Sequence, residues 1–247
     1  MELIGDERNR LCEYACGRNF EVLKWAHNQL ELPWAPYRAG PVSDDVLVLR
    51  VLRESPSYLK QWWPEDEGPE EWGRVTMVEG GVVELVRECF GLRAVPAELG
   101  QLASLRVLRL SSNRLTSLPA EIGQLTSLEV LVLGGNKLTS LPAELGQLTS
   151  LENLRLVNNQ LTSVPAEIWH LTSLRELLLA NNKLTTLPVE IGQMIGLEEL
   201  NLTGNQFEHF PHEAIRALER YTCCKVYTDT PSKVPSVKEK GGCCVIS

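Results

Sequence analysis

Basic residues are scarce relative to acidic ones in this chain of 247 residues. It holds 24 Lys and Arg against 32 Asp and Glu, which gives a formal net charge of −8. A chain with this charge is a poor match for the phosphate backbone of nucleic acids, so nucleic-acid binding is disfavoured. We therefore expect protein partners.

Long apolar runs and N-terminal targeting signals are missing as well. No stretch approaches the roughly 18 consecutive apolar residues that a membrane-spanning helix needs. The first residues, Met-Glu-Leu-Ile-Gly-Asp, match neither a signal peptide nor a myristoylation site, because the second residue is Glu2. We expect a cytoplasmic protein.

Cysteine and histidine lack the number and the spacing that a disulfide framework or a metal site needs. The cysteines number seven, an odd count, without zinc-finger spacing, and the four histidines fall in different parts of the chain. The sequence also lacks a phosphate-binding glycine loop and the G-x-S-x-G and H-E-x-x-H motifs. It predicts no metal, no cofactor and no catalysis.

A repeat with a period of 23 residues dominates what is present. Five segments match L-x-x-L-x-L-x-x-N-x-[LF], and they begin at Leu105, Leu128, Leu151, Leu174 and Leu197. Alternating leucines place their side chains on one face of a short strand, and such strands stack about 4.8 Å apart. The return segment, L-P-A-E-[IL]-G-Q-L, predicts a strand break at proline followed by a short helical or 3₁₀ turn. The pattern predicts an α/β leucine-rich-repeat solenoid, with a curved parallel sheet on the concave face and short turns on the convex face.

Each repeat carries an asparagine at its ninth position. These residues are Asn113, Asn136, Asn159, Asn182 and Asn205. Their amides are suited to pair backbone groups that would otherwise be buried without partners. The alternative is a row of ligand-binding amides.

The repeats resemble those of plant intracellular Ras-group proteins and animal Ras-pathway scaffolds, which carry L-P-x-E-I-G-x-L-x-x-L-x-x-L-x-L-x-x-N. The resemblance covers about residues 82–211. It implies a leucine-rich-repeat fold and a protein-interaction role, with a small GTPase or one of its effectors as the partner. A shared fold specifies function only weakly.

The flanking sequence divides the chain into five parts. Residues 1–64 predict a small helical N-terminal module, within which residues 14–26 resemble half an ankyrin-type repeat. A single copy cannot bury its own face, so this stretch either packs on the solenoid or resembles an ankyrin repeat by coincidence. The other four parts are an acidic linker with the start of a cap (65–81), the repeats with a degenerate first copy (82–211), a capping helix (212–224) and a flexible tail (225–247).

The tail ends in a lipidation pattern. Cys244-Val245-Ile246-Ser247 matches the C-a-a-X prenylation signal, in which a final Ser favours a farnesyl group. It resembles the ends of Ras-type small GTPases and implies a prenyltransferase as a partner. One lipid chain gives only marginal membrane binding, so Cys243 is the candidate for a second, palmitoyl anchor. The sequence predicts a protein that is peripheral on the cytoplasmic face of a membrane.

Candidate partner-binding residues flank the inward leucines, where the copies differ from one another. They are Val107, Arg109, Val130, Val132, Asn153, Arg155, Val157, Glu176, Leu178, Glu199 and Asn201. The two arginines lie toward one end and the two glutamates toward the other, and a mixed surface of this kind suits a protein partner. The alternative is an idle surface left by repeat divergence.

Trp169 is a further candidate, because it replaces the glycine of the other return segments on the convex side. It is expected either to be exposed and to anchor a second contact or to fold over the neighbouring turn.

The whole pattern predicts a monomeric, non-catalytic adaptor that recruits a protein ligand to a membrane. The alternative is the prenylated substrate-recognition subunit of a ubiquitin ligase, because some F-box leucine-rich-repeat proteins also end in a prenylation signal. Residues 32–63, however, contain no convincing F-box.

Overall fold

A computed structural model describes Asp45, residues 75–222 and residues 224–229. The predicted helical module apart from Asp45, the linker before residue 75 and both lipidation cysteines lie outside these residues. The predictions made for them therefore stay predictions.

Each repeat contributes one short strand to a single sheet. In chain order the strands are β1 (Val75–Val78), β2 (Gly81–Val86), β3 (Val107–Arg109), β4 (Val130–Val132), β5 (Asn153–Arg155), β6 (Glu176–Leu178), β7 (Glu199–Asn201) and β8 (Lys225–Tyr227). Within the described residues they form one sheet in sequence order, and every neighbouring pair from β2 onward is parallel. Leu108 pairs with Leu131, one repeat further on, and both are fully buried. The predicted parallel solenoid is confirmed.

The return segments form 3₁₀ turns on the convex side. They are η1 (Ala97–Gln101), η2 (Ala120–Gln124), η3 (Ala143–Gln147), η4 (Ala166–His170) and η5 (Val189–Gln193). Each follows a proline. Pro119, for example, has φ −71° and ψ 151°, and its carbonyl accepts a hydrogen bond from the Ile122 N–H at 3.2 Å. Proline holds φ near this value and has no N–H for a strand ladder, so the strand ends where the turn begins.

Consecutive turns pack closely where the turn carries a glycine, as η1, η2, η3 and η5 do. A Cβ atom placed on Gly123 would lie 2.5 Å from the carbonyl oxygen of Glu144 in the next turn. A Cβ atom on Gly146 would lie 2.5 Å from the Cβ of Glu167. A side chain at this position therefore requires the two turns to separate, and the fourth turn has such a side chain.

The asparagines form a hydrogen-bonded ladder through the core. The Asn159 Nδ2 donates to the carbonyls of Leu133 and Leu156, each at 3.0 Å, and its Oδ1 accepts from the Leu138 N–H at 3.1 Å. The first four asparagines of the series are buried, and Asn205 is half-buried. The expected role in pairing buried backbone groups is confirmed.

The residue before each asparagine adopts a left-handed backbone conformation. The φ angle is 56° at Ser112, 58° at Asn158 and 54° at Asn181, and it is 69° at both Gly135 and Gly204. Glycine and asparagine tolerate this region at the lowest steric cost, which explains why they recur at this position. The pattern is visible in the sequence, although our sequence interpretation did not use it.

The degenerate first repeat keeps the register of the array. Val82 and Leu85 are buried, and β2 pairs in parallel with β3. Arg87 stands where other copies have the second inward leucine, and it is only 4% exposed. Its guanidinium carbon lies 5.7 Å from the ring centroid of Phe90, and its Nη1 donates to the Val86 carbonyl at 2.7 Å.

The N-terminal edge of the sheet is covered by chain that precedes the repeats. β1 pairs antiparallel with β2, so the segment predicted as linker up to residue 81 contains a strand. Asp45, the one described residue of the N-terminal module, accepts a hydrogen bond from the Val82 N–H at 2.6 Å through its Oδ2. This contact pairs a backbone donor at the start of β2.

The C-terminal cap is a helix followed by a strand. Helix α1 (His212–Tyr221) packs on η5 and buries Ala214, Ile215 and Leu218, whereas Tyr221, which shares their helical spacing, is 71% exposed. After it, β8 pairs in parallel with β7 and half-buries Val226 against the core. The predicted helix end at 224 and tail start at 225 are therefore wrong, because residues 225–227 alternate as a strand and extend the sheet.

Candidate partner-binding face

The side chains on either side of the inward leucines form two rows across the sheet, and we call this surface the concave face. The first row is Glu84, Val107, Val130, Asn153, Glu176, Glu199 and Lys225. The second row is Val86, Arg109, Val132, Arg155, Leu178, Asn201 and Tyr227. All of these residues are exposed or half-buried, and Val157, just past β5, is half-buried as well. The structure therefore brings the predicted concave residues together on one accessible surface.

Apolar side chains concentrate on the N-terminal half of the concave face. We call Val86, Val107, Val130 and Val132 the valine patch. They occupy neighbouring strands in both rows, and each is half-buried. Surface of this kind loses water readily when a partner covers it.

The expected separation of charge along the face is wrong in one respect. Arg155 and Glu176 lie on adjacent strands and form an ion pair, with 2.6 Å between Nε and Oε1 and 3.2 Å between Nη2 and Oε2. The Glu176 side chain is only 18% exposed. This two-point contact neutralises Arg155, so a positive end containing both arginines does not form.

Arg109 differs from Arg155. It is exposed, and its guanidinium makes no ion pair or hydrogen bond with any residue that the structure describes. Its neighbours in the same row are Val86 and Val132, which offer no acceptor. Arg109 is therefore available to a ligand.

The arginines that immediately precede β3 and β6 form ion pairs with the glutamates that precede the next strand. Arg106 pairs with Glu129 at 2.7 Å, and Arg175 pairs with Glu198 at 2.6 Å. The hydrogen bond that Arg175 donates to the Glu198 carboxylate raises the pKa of the Arg175 guanidinium, and the negative charges of Glu198 and Glu152 act in the same direction. Exposed pairs of this type contribute little to stability, but they leave these arginines less free for a partner.

Sequence interpretation missed four residues of the concave face, which are Glu84 and Val86 of β2 and Lys225 and Tyr227 of β8. Lys225 and Tyr227 of β8 continue the two rows beyond Glu199 and Asn201, and Tyr227 is 45% exposed. The alternation of Lys225, Val226 and Tyr227 is a strand signal. The segment was missed because it lacks the leucines of the repeat and follows the capping helix.

Trp169 is not a contact residue. It is only 4% exposed and belongs to the hydrophobic core, so the interpretation in which it folds over the neighbouring turn is correct and its assignment to partner binding is wrong. The physical reason is its position, which is that of the tightly packed glycine in the other turns. Turn η4 packs less closely on η5 than earlier turns pack on each other, and this spacing accommodates the indole.

Cys224 is a buried thiol next to the concave face. It is 8% exposed, and burial raises its pKa to about 12, with smaller contributions from the charges of Glu219 and Glu199. At pH 8 such a thiol is ionised in roughly one molecule in ten thousand. Cys224 therefore packs as a small apolar side chain.

The thiol environments predict a difference in alkylation. In the native protein at pH 8, N-ethylmaleimide is expected to modify the exposed Cys89 at least about a hundredfold faster than Cys224, because the thiolate is the reactive form. Peptide mapping by mass spectrometry measures both rates. Unfolding in urea should make the rates similar, and equal rates in the native protein would contradict the buried position of Cys224.

The described residues contain neither a metal-binding cluster nor a membrane-spanning helix. Among the residues that the structure describes, no three His, Cys, Asp or Glu side chains are grouped so that they could hold a metal ion. None of the helices within the same residues has the length and apolar character to cross a bilayer.

Comparisons with known proteins agree on the repeat. Family models for a leucine-rich repeat region and for paired leucine-rich repeats match residues 87–181 and 172–212. No curated protein gives a significant match. A leucine-rich-repeat protein of Leptospira interrogans is 40% identical over 56% of this chain, with a TM-score of 0.46, and this chain covers 40% of its length.

Two solved complexes are also similar. The BIR3–SERK2 complex from Arabidopsis thaliana is matched at 30% identity and a TM-score of 0.53, over 66% of this chain and 93% of the matched one. The PEPR1–AtPEP1 structure is matched at 31% identity and a TM-score of 0.60, over 70% of this chain and 26% of that one.

A parallel solenoid of stacked strands and turns defines a class of repeat proteins whose extended surfaces serve in protein interaction. The particular family follows from the repeat motif and from the comparisons. This chain belongs to the leucine-rich-repeat family. Members of the family serve in general as interaction modules.

Proposed function

We propose that this protein is a non-catalytic scaffold that binds another protein across its concave face while a lipid on Cys244 holds it at a cytoplasmic membrane surface. The observation that carries the binding part is the valine patch on an accessible sheet, beside an arginine that has no partner among the described residues. The two similar complexes, BIR3 with SERK2 and PEPR1 with AtPEP1, support protein binding by this fold.

The proposed partner is a small GTPase or one of its effectors. This part rests on the resemblance of the repeats to Ras-group proteins. The proposed anchor rests on the sequence Cys244-Val245-Ile246-Ser247, with Cys243 as the palmitoylation site. Both cysteines lie outside the described residues.

A matched pair of substitutions tests the concave face. Val132→Glu places a carboxylate within the valine patch, whereas Val189→Glu places one on the convex side, where Val189 is already 69% exposed. Both side chains point away from the buried leucines, so both variants should keep the circular dichroism spectrum and the melting temperature.

The readout is proximity labelling in cells with the labelling enzyme at the N-terminus. Proteins that bind the concave face should be labelled equally by the wild type and by Val189→Glu, and at least about tenfold less by Val132→Glu. That factor corresponds to about 1.4 kcal/mol of binding free energy. An unchanged set of labelled proteins with Val132→Glu would overturn the proposed binding face. Nucleotide-dependent recovery of a GTPase in the affected set would support the proposed partner.

A further inference from the structure

The valine patch surrounds one cation. Arg109 lies in register between Val86 and Val132, and Val107 is on the same strand. Its guanidinium makes no contact with an acceptor among the described residues. An arginine carries five N–H donors and no acceptor, so it favours an anionic, planar group such as a carboxylate.

The other charged groups of the concave face limit where a carboxylate fits. Arg155 is already paired with Glu176, and Lys225 lies beside Glu199 in the first row. Glu84, at the other end of that row, accepts a hydrogen bond from the Thr76 hydroxyl at 3.2 Å and would repel a second carboxylate. Of the two concave arginines, only Arg109 is left for an acidic ligand.

The net charge of the whole chain further limits where an acidic ligand can bind. With a net charge of −8, the protein repels acidic segments over most of its surface. On the concave face a carboxylate is therefore favoured beside Arg109, where apolar side chains adjoin the guanidinium on both neighbouring strands. Charge complementarity of this kind determines the register of a bound segment more than its overall affinity.

We propose that the partner of the concave face binds through a segment that carries an Asp or Glu side chain flanked by apolar residues. The carboxylate binds Arg109, and the apolar residues pack on the valine patch. This inference rests on the proposed function, because it takes the concave face as the binding surface.

The experiment uses peptides as probes. A display library of random 12-residue peptides is selected against the full-length protein, and the enriched peptides are measured by fluorescence anisotropy. Each peptide is then remade with its acidic residue changed to the amide, Glu to Gln or Asp to Asn. All peptides are titrated against the wild type, Arg109→Gln and Arg216→Gln, the last being a control on α1.

The enriched peptides should share an acidic residue between apolar ones. The acid-to-amide change should weaken binding to the wild type and to Arg216→Gln about tenfold, and it should have no effect on binding to Arg109→Gln. An enriched set without an acidic position would overturn the inference. An acid-to-amide loss of the same size with Arg109→Gln would do the same.

Peptide binding to Val132→Glu distinguishes a failure of the proposed function from a failure of the inference about Arg109. If Val132→Glu leaves peptide binding unchanged, the peptides bind elsewhere and the concave face is not the binding surface. If Val132→Glu abolishes binding while the acidic and amide peptides bind the wild type equally, the face is correct and only the role of Arg109 fails.

Discussion

Asn159→Ala is expected to lower the free energy of unfolding by about 3 kcal/mol. The Leu138 N–H loses its acceptor, and each of the carbonyls of Leu133 and Leu156 loses one of two amide donors. A buried N–H without a partner is costly, whereas a carbonyl that keeps one donor loses less. Urea unfolding followed by circular dichroism measures the change.

The control is Asn153→Ala, at a half-buried position of the concave face whose side chain makes no hydrogen bond among the described residues. It should change stability by no more than about 0.5 kcal/mol. Asn159→Asp keeps the acceptor for Leu138 but aims a carboxylate at two carbonyls, so it should not restore stability. Equal stability of Asn159→Ala and Asn153→Ala would show that the ladder contributes nothing.

Cys244→Ser is expected to shift the protein from the membrane fraction to the soluble fraction, with at least a tenfold change in the ratio of the two. The proposed prenyl group supplies the apolar surface that partitions into the bilayer, at about 0.8 kcal/mol per buried CH₂ group. Quantitative immunoblotting after ultracentrifugation measures the ratio. The tag belongs at the N-terminus, so that the last four residues stay free.

Three matched substitutions separate the contributions to membrane binding. Cys89→Ser removes an exposed cysteine of the first repeat and should fractionate as the wild type does. Cys243→Ser should give weaker, reversible binding, because one lipid chain is marginal. Ser247→Leu should keep the protein on membranes but change the mass of the attached lipid to that of a geranylgeranyl group. An unmodified intact mass of the native protein would contradict the anchor.

The repeat made most of the fold predictable. Leucines at a fixed spacing have one way to be buried together, so the strands, their register and the asparagine ladder could all be inferred from the periodicity. Proline placed the 3₁₀ turns. The capping helix was visible through its apolar spacing, whereas β8 was not, because three residues without the repeat motif carry too weak a signal.

The binding face was only partly predictable. Alternation along each strand determines which side chains face outward, and that property is local to the sequence. Whether an arginine is available depends on which residue the next strand brings within reach, which is a property of the folded sheet. Stacking places Glu176 against Arg155, whereas the register neighbours of Arg109 on the two adjacent strands are Val86 and Val132.

By itself, the sequence determined that this protein is a leucine-rich-repeat solenoid with a varied outward face, because the spacing of leucine, asparagine and proline fits no other arrangement of buried groups. The tertiary structure decided that Trp169 is buried and that Arg109 has no partner within the part of the chain that the structure describes. Both outcomes depend on the distance between neighbouring repeats, on how far two turns can separate and on which side chains meet across adjacent strands.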